Sequence, residues 1–257
     1  MDAIILAAGR GSRLGGRSPK CLVRVGDRTL LEIQLDNLRR AGVDNVTVVV
    51  GYRHEEVREA ASGEATFVFN ERFADTNSLY SFHLARRAVA DDLLVLNSDV
   101  LFPLELLSRL RDVEGSALAF DSCSGDDAEH MKVHLRDGHL VRMSKRLPSA
   151  LTAGENVGLL QLSAYAARAC FDAAATLVRR GHHHDWVGSA VSAIADAHRI
   201  FGVDITGLPW VEIDYPEDLV LAREQIWPAI ESLDLCAQRP GLLEPVGMYD
   251  AGAAVAR

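Results

Sequence analysis

Behind a short apolar run, the segment Leu6-Ala7-Ala8-Gly9-Arg10-Gly11-Ser12-Arg13-Leu14 brings glycines and fixed positive charge into one loop, and Pro19-Lys20 follows closely. Glycines let backbone N–H groups approach an anion that a Cβ would hold away. Arg13 and Lys20 add the charge that phosphate oxygens need, so the chemistry open to this loop is the binding of a triphosphate. Two other phosphate loops fail on their residues. A dinucleotide-binding G-x-G-x-x-G would require a glycine where Leu14 stands and an acidic residue at the end of Val46–Val50. A Walker A loop over Gly11–Ser18 has Arg17 in place of lysine, and Pro19 stops the helix that must begin there.

Such a loop must be held by a scaffold, and the alternation of patterns supplies one. Ala3–Ala8 predicts a buried parallel strand. Thr29–Arg40 carries Leu31, Leu35 and Leu38 at helical spacing before Gly42, and Asn45–Val50 resumes a β-branched strand. Helices over Glu55–Ala61, Asn77–Ala88 and Leu104–Arg111 then alternate with strands over Ala65–Asn70 and Leu93–Asn97, which predicts a parallel, doubly wound sheet. Ligands of such sheets sit at the carboxyl ends of the strands. After a strand over Ser116–Asp121, the runs Met131–Arg136 and His139–Lys145 flank Asp137-Gly138, a hairpin signal. Helices are expected over Tyr165–Arg180 and Trp186–Ala197, strands over Arg199–Val203 and Trp210–Ile213, and a long helix over Pro216–Ile230 with proline in its first turn. From Arg239 the chain is rich in Gly, Pro and Ala and reads as a tail or docking arm.

With 257 residues, 48% hydrophobic and 25% charged, the composition is that of a globular protein. The formal charge of −9 argues against nucleic acid or an anionic membrane as partner, although it does not govern a local pocket. No run approaches the ~18 apolar residues of a membrane span and the N-terminus lacks a basic leader, so a cytoplasmic protein is expected. Cys21, Cys123, Cys170 and Cys236 form no C-x-x-C pair, which points to reduced thiols rather than a zinc site or disulfide framework. His182-His183-His184 cannot share one face of an element and reads as an exposed loop rather than a metal site. His130 and His134 read as polar residues of a pocket or plain surface.

The order L-A-A-G-x-G-x-R, then P-K, behind the first strand resembles the signature of the nucleotidyltransferase superfamily that makes nucleoside diphosphate-activated sugars and alcohols. The resemblance implies a Rossmann-like doubly wound, mostly parallel α/β sheet with a small antiparallel hairpin region at the acceptor site. It also implies one domain over 1–257, with a nucleotide-binding half over about 1–120, an acceptor half over about 121–230 and the tail over 239–257. Leu6, Ala7, Ala8, Gly9, Gly11 and Ser12 would hold the nucleotide, with Asn77 and Ser78 beside its base; both also read as an N-cap for the next helix. Arg13 and Lys20 would neutralise pyrophosphate. Mg²⁺ would be held by Asp99, behind the apolar strand LLVLN, and by Asp214 in VEIDYP, although either aspartate also reads as a helix N-cap.

Lys145 matches the superfamily lysine that grips the acceptor's phosphate, Lys132 is a second candidate, and Gly154–Gly158, with Glu155 and Asn156, matches the wall of the acceptor site. Along most of the chain the runs TNSLYS, LNSDVLF, MKV, GENVG and EIDYPEDL resemble the cytidylyltransferases of small phosphorylated compounds, nearest to those of phosphonate biosynthesis. Ser144 stands where hexose-phosphate enzymes carry Glu, and the choline-binding aromatics are replaced by His, Met and Lys unless Trp186, Tyr165 or Trp210 substitutes. The resemblance therefore implies a Mg²⁺-dependent transfer of CMP from CTP, the favoured nucleoside triphosphate, to a small phosphonate or phosphate monoester, with release of pyrophosphate. A phosphocholine cytidylyltransferase, a sugar-1-phosphate uridylyl- or thymidylyltransferase, and a non-catalytic nucleotide-binding regulator stay open, and a homodimer is allowed.

Overall fold

A computed structural model of the chain describes residues 1–15, 18–61, 63–124 and 127–238; the tail from Arg239, and Gly16 and Arg17 of the Walker-like run, lie outside the described residues. The strands are β1 Asp2–Ala7, β2 Arg24–Val25, β3 Arg28–Thr29, β4 Asn45–Val50, β5 Thr66–Phe69, β6 Leu93–Asn97, β7 Val100–Leu101, β8 Ser116–Asp121, β9 Lys132–Arg136, β10 His139–Ser144, β11 Gly154–Leu162, β12 Ile200–Asp204 and β13 Val211–Glu212. The helices are α1 Leu30–Arg40, α2 His54–Ala60, α3 Ser78–Leu84, α4 Leu104–Arg111, α5 Ala164–Arg179, α6 Val187–Ile194, α7 Pro216–Leu221 and α8 Trp227–Gln238. A π turn over Ala222–Ile226 joins α7 to α8, so the expected long helix is present and runs past Ile230.

β1 lies between β4 and β6, parallel to both, and is buried along its whole length, which is why its sequence is an unbroken apolar run. Its alternate residues feed two cores. Ala3, Ile5 and Ala7 join Leu31, Leu35 and Leu38 of α1 and Leu106 and Leu110 of α4, whereas Ile4 and Leu6 join Phe82 of α3, Phe171 of α5 and Val191 of α6. The sheet is thus covered by helices on both faces.

The expectation of a mostly parallel sheet is corrected. The nine strands run in the order β5-β4-β1-β6-β11-β8-β12-β10-β9. Only β5-β4-β1-β6 and β8-β12 pair in parallel. β11, read from sequence only as an acceptor-site segment, inserts antiparallel between β6 and β8 and also pairs with β9. Strands β11, β8, β12, β10 and β9 therefore close on themselves, and the sheet is mixed. The hairpin itself forms as expected: Asp137 (φ 51°) and Gly138 (φ 76°) both take the positive φ of a type I′ turn between β9 and β10. Among the described residues, no helix is long and apolar enough to cross a membrane.

Candidate active site

The loop leaving β1 carries Ala8 and Gly9, then turns at Gly11. Gly11 has φ 62°, and a Cβ there would lie 2.7 Å from the Cγ of Lys20, so the position demands glycine for its backbone and for the close approach of the lysine. Ser12–Leu14 make one 3-10 turn, and Lys20 opens another directly after Pro19. These turns aim both cations at Asp214. Lys20 Nζ lies 3.1 Å from Asp99 Oδ2 and donates also to Asp214 Oδ1. Arg13 Nη1 donates to Asp214 Oδ2 at 3.2 Å and Nη2 to Glu129 Oε2 at 3.5 Å, with its guanidinium 5.1 Å from the Tyr215 ring centroid.

Asp99 and Asp214 are brought together by backbone pairing. β13 runs antiparallel to β7, Glu212 opposite Val100, and the Ile213 N–H donates to the Asp99 carbonyl at 2.9 Å. Neither aspartate caps a helix. The N-cap of α4 is Pro103, and the start of α7 is served by Asp218, whose Oδ2 accepts from the N–H groups of Asp214 and Tyr215. Glu212, not singled out from the sequence, completes the group: Asp99, Glu212 and Asp214 each offer an oxygen, all within 4.8 Å of one another.

The electrostatics follow from that crowding. Burial, reinforced by Asp99 and Asp214 and opposed by Lys20, raises the Glu212 carboxyl to about 8. Burial works against the Lys20 ammonium, but Asp99 and Asp214 more than offset it, leaving its pKa raised. Three converging hard oxygens are a donor set that fits a small divalent cation, with Lys20 and Arg13 as the counter-charges beside them.

Two clefts of about 720 and 770 Å³ meet at this cluster. Leu6, Ala8, Gly9, Lys20, Asn77 and Asp99 line the first. Glu129, Met131, Met143, Lys145 and Asn156 line the second. Ser78, Asn97, Trp186 and Glu212 belong to both. Asn77 has the double character expected of it, because its Oδ1 accepts from the Ser78 N–H at 2.8 Å as the N-cap of α3 while it lines the cleft. Gly158 (φ 86°) lets β11 pass close to Asn97, whose Nδ2 would lie 2.8 Å from a Cβ.

Not every expected residue arrives at a cleft. Ala7 is buried in the core, Gly11 and Ser12 line neither cleft, and Arg13 lines neither but contacts Asp214 and Glu129 of the second. Lys132 and Glu155 face each other in the β9–β11 register, with Asp121 on the same side, whereas Asn156, one residue on, lines the second cleft. The two-residue period of a strand cannot put Glu155 and Asn156 on one face. Glu155 is instead buried with Asp121 and Asp127 near it; burial raises its carboxyl to about 7, a Ser124 hydrogen bond opposes this and the two aspartates reinforce it. His130 Nδ1 approaches Glu155 Oε2 at 3.2 Å.

Of the aromatic candidates, only Trp186 reaches a cleft, where Lys145 Nζ lies 5.1 Å from its ring centroid. Trp210 donates to Asp121 Oδ2 at 2.9 Å, and the exposed Tyr165 packs on His198. The histidine run forms the loop beside α3, with His182 and His184 exposed as expected.

The family model of the MobA-like NTP transferase domain matches residues 3–234. The chain is 34% identical over 237 residues to the CMP-5'-(3-aminopropyl)phosphonate synthase of Streptomyces rubellomurinus, an alignment that covers 84% of this chain and 37% of that protein. It is 32% identical over 240 residues to the bifunctional IPC transferase and DIPP synthase of Rubrobacter xylanophilus, covering 89% of this chain and 53% of that one. The chain thus spans between about a third and a half of the length of these relatives. Among solved structures, the inositol-1-phosphate CTP transferase of T. maritima matches with a TM-score of 0.73 and 22% identity, covering 91% of this chain and 96% of that one. The CTP:phosphocholine cytidylyltransferase of Streptococcus pneumoniae gives a TM-score of 0.70 at 22% identity, covering 87% and 97%. These likenesses establish the fold.

Proposed function

The chain belongs to the MobA-like NTP transferase domain family, and from that premise we propose that it transfers CMP from CTP to a small phosphonate or phosphate monoester and releases pyrophosphate. The observation that carries this reading is the placement of Lys20, Asp99 and Asp214 at the meeting line of two clefts, one walled by the glycine loop and the other by Lys145. The names of relatives that produce CMP-linked phosphonates or transfer CTP-derived groups support the choice of nucleotide and acceptor.

In the proposed step an acceptor oxyanion attacks the α-phosphorus in line. The new O–Pα bond forms as the bond from Pα to the bridging oxygen breaks, and pyrophosphate leaves with that electron pair. The nucleophile is already an anion, so no side chain need remove a proton. The protein's part is positioning and charge. The glycine loop and the α3 N-terminus seat the nucleotide, Lys145 draws the acceptor's anionic group into the second cleft, and Lys20 and Arg13 balance charge on the departing pyrophosphate. Asp99 and Asp214, with Glu212 beside them, would hold Mg²⁺, which when bound supplies Lewis-acid polarisation of the phosphate oxygens.

A second reading, a phosphocholine acceptor, is favoured by one observation, the half-exposed indole of Trp186 beside Met131 and Met143. A pyrophosphate-release screen of CTP, UTP, dTTP and GTP against 3-aminopropylphosphonate, phosphocholine, inositol 1-phosphate and glucose 1-phosphate tests both. Release from CTP with the phosphonate supports the first reading. Release confined to UTP or dTTP with glucose 1-phosphate would overturn it, and silence with every acceptor would favour a nucleotide-binding regulator.

A further inference from the structure

Trp186 has a placement that the transfer step does not itself require. It lines both clefts, and 44% of the residue is exposed. On one side, Lys145 Nζ lies 5.1 Å from its ring centroid, within the range of cation–π attraction. The same ammonium also pairs with Glu129 Oε2 at 3.5 Å, a well-exposed carboxylate shared with Arg13, and the buried Glu155 carboxylate acts on it as well. The rigid indole is one of the features that can fix where a flexible lysine points.

The backbone around Trp186 is tied to the nucleotide side. The Asn77 N–H donates to the His183 carbonyl at 2.9 Å, the Leu79 N–H to the Asp185 carbonyl at 3.2 Å, and the Val187 N–H to Ser78 Oγ at 3.1 Å. Asn77 and Ser78 also line the first cleft. The loop that presents Trp186 and the α3 N-terminus that walls the nucleotide thus form one hydrogen-bonded unit.

We propose that Trp186 is a positioning residue shared by the two substrates: it touches the seated nucleotide on one side, aims Lys145 at the acceptor on the other, and so makes acceptor capture depend on nucleotide occupancy. The identity of the ligands rests on the cytidylyltransferase reading; the shared wall rests on geometry alone. Coupling of this kind is a linkage between two sites through one element whose position both ligands bias.

The test compares wild type with Trp186→Phe and Trp186→Ala, using CTP and 3-aminopropylphosphonate. CTP alone is expected to change the tryptophan emission of wild type, and that change is expected to vanish in Trp186→Phe. The acceptor KM is expected to rise about tenfold in Trp186→Ala with kcat altered much less, and to be largely restored in Trp186→Phe, which keeps an aromatic face. Calorimetry with a CTP analogue whose α,β-bridging oxygen is methylene should show acceptor affinity rising with nucleotide in wild type and not in Trp186→Ala. An emission change that persists in Trp186→Phe, or an acceptor KM that is the same in Trp186→Ala as in wild type, overturns the proposal. Wild type that shows the Trp186-dependent emission change but makes no product from any acceptor supports the shared wall while contradicting the transfer reading.

Discussion

Asp99 caps no helix and spends its carboxylate on Lys20, so its charge has a local partner but no structural duty that neighbours do not share. Asp99→Asn keeps the shape and removes the charge. Pyrophosphate release is expected to fall by about a hundredfold or more while the thermal midpoint moves little, the signature of a group that acts on reacting charge rather than on folding. Glu155 is the opposite case. Its carboxyl is raised from 4.5 to about 7 in the folded chain, so folding favours its protonated form. The folded protein therefore loses stability as pH rises between those values, by at most about 3 kcal/mol. Glu155→Gln should remove that loss: urea denaturation at pH 8 is expected to show a more stable variant, and at pH 4.5 little difference. At this scale the sequence was most legible where types and order were distinctive. Lys20, Asp99 and Asp214 stand out in the sequence by type and order, and the structure brings them together, whereas Glu212 looks like any acid beside a strand until the β7–β13 pairing sets it against two others.

Among the elements, those with one consistent local pattern were read to the residue: Asn45–Val50, Leu93–Asn97, Leu104–Arg111 and Ser116–Asp121 all form over the expected spans. β11 was not read as a strand, because Gly154, Gly158 and the polar Glu155 and Asn156 break both the apolar run and the alternation. Its glycines answer to tertiary neighbours instead: a Cβ at 154 would collide with the Asp121 carbonyl, and one at 158 would meet Asn97. Without that one strand a mixed sheet looks parallel in the sequence. Gly158→Ala, forced to hold φ 86° against Asn97, is expected to cost about 1–3 kcal/mol and to weaken binding in both clefts, which Asn97 lines. Thr29→Ala offers a control remote from the chemistry. Thr29 Oγ1 accepts from the Glu32 N–H and Glu32 Oε2 accepts from the Thr29 N–H, so losing this capping box should cost about 1 kcal/mol in urea unfolding without changing KM.

For the molecule as a whole, the charge of −9 coexists with a local concentration of Arg13, Lys20 and Lys145 around the cluster, so the sign of the total does not decide the sign of the ligand this pocket suits. Thiol chemistry follows burial in the same global way. Cys21 and Cys170 are buried and burial raises both to about 12, whereas Cys123 and Cys236 are exposed. Native protein treated with a thiol reagent at pH 8 should react promptly at Cys123 and Cys236 and, at Cys21 and Cys170, only on unfolding. The proposed activity itself is tested most directly by ³¹P NMR of CTP, 3-aminopropylphosphonate and Mg²⁺ with the protein. The expected result is inorganic pyrophosphate together with a new pair of mutually coupled resonances from a phosphonate–phosphate anhydride, absent with Asp99→Asn. Formation of CDP and orthophosphate, or transfer from UTP rather than CTP, would contradict it.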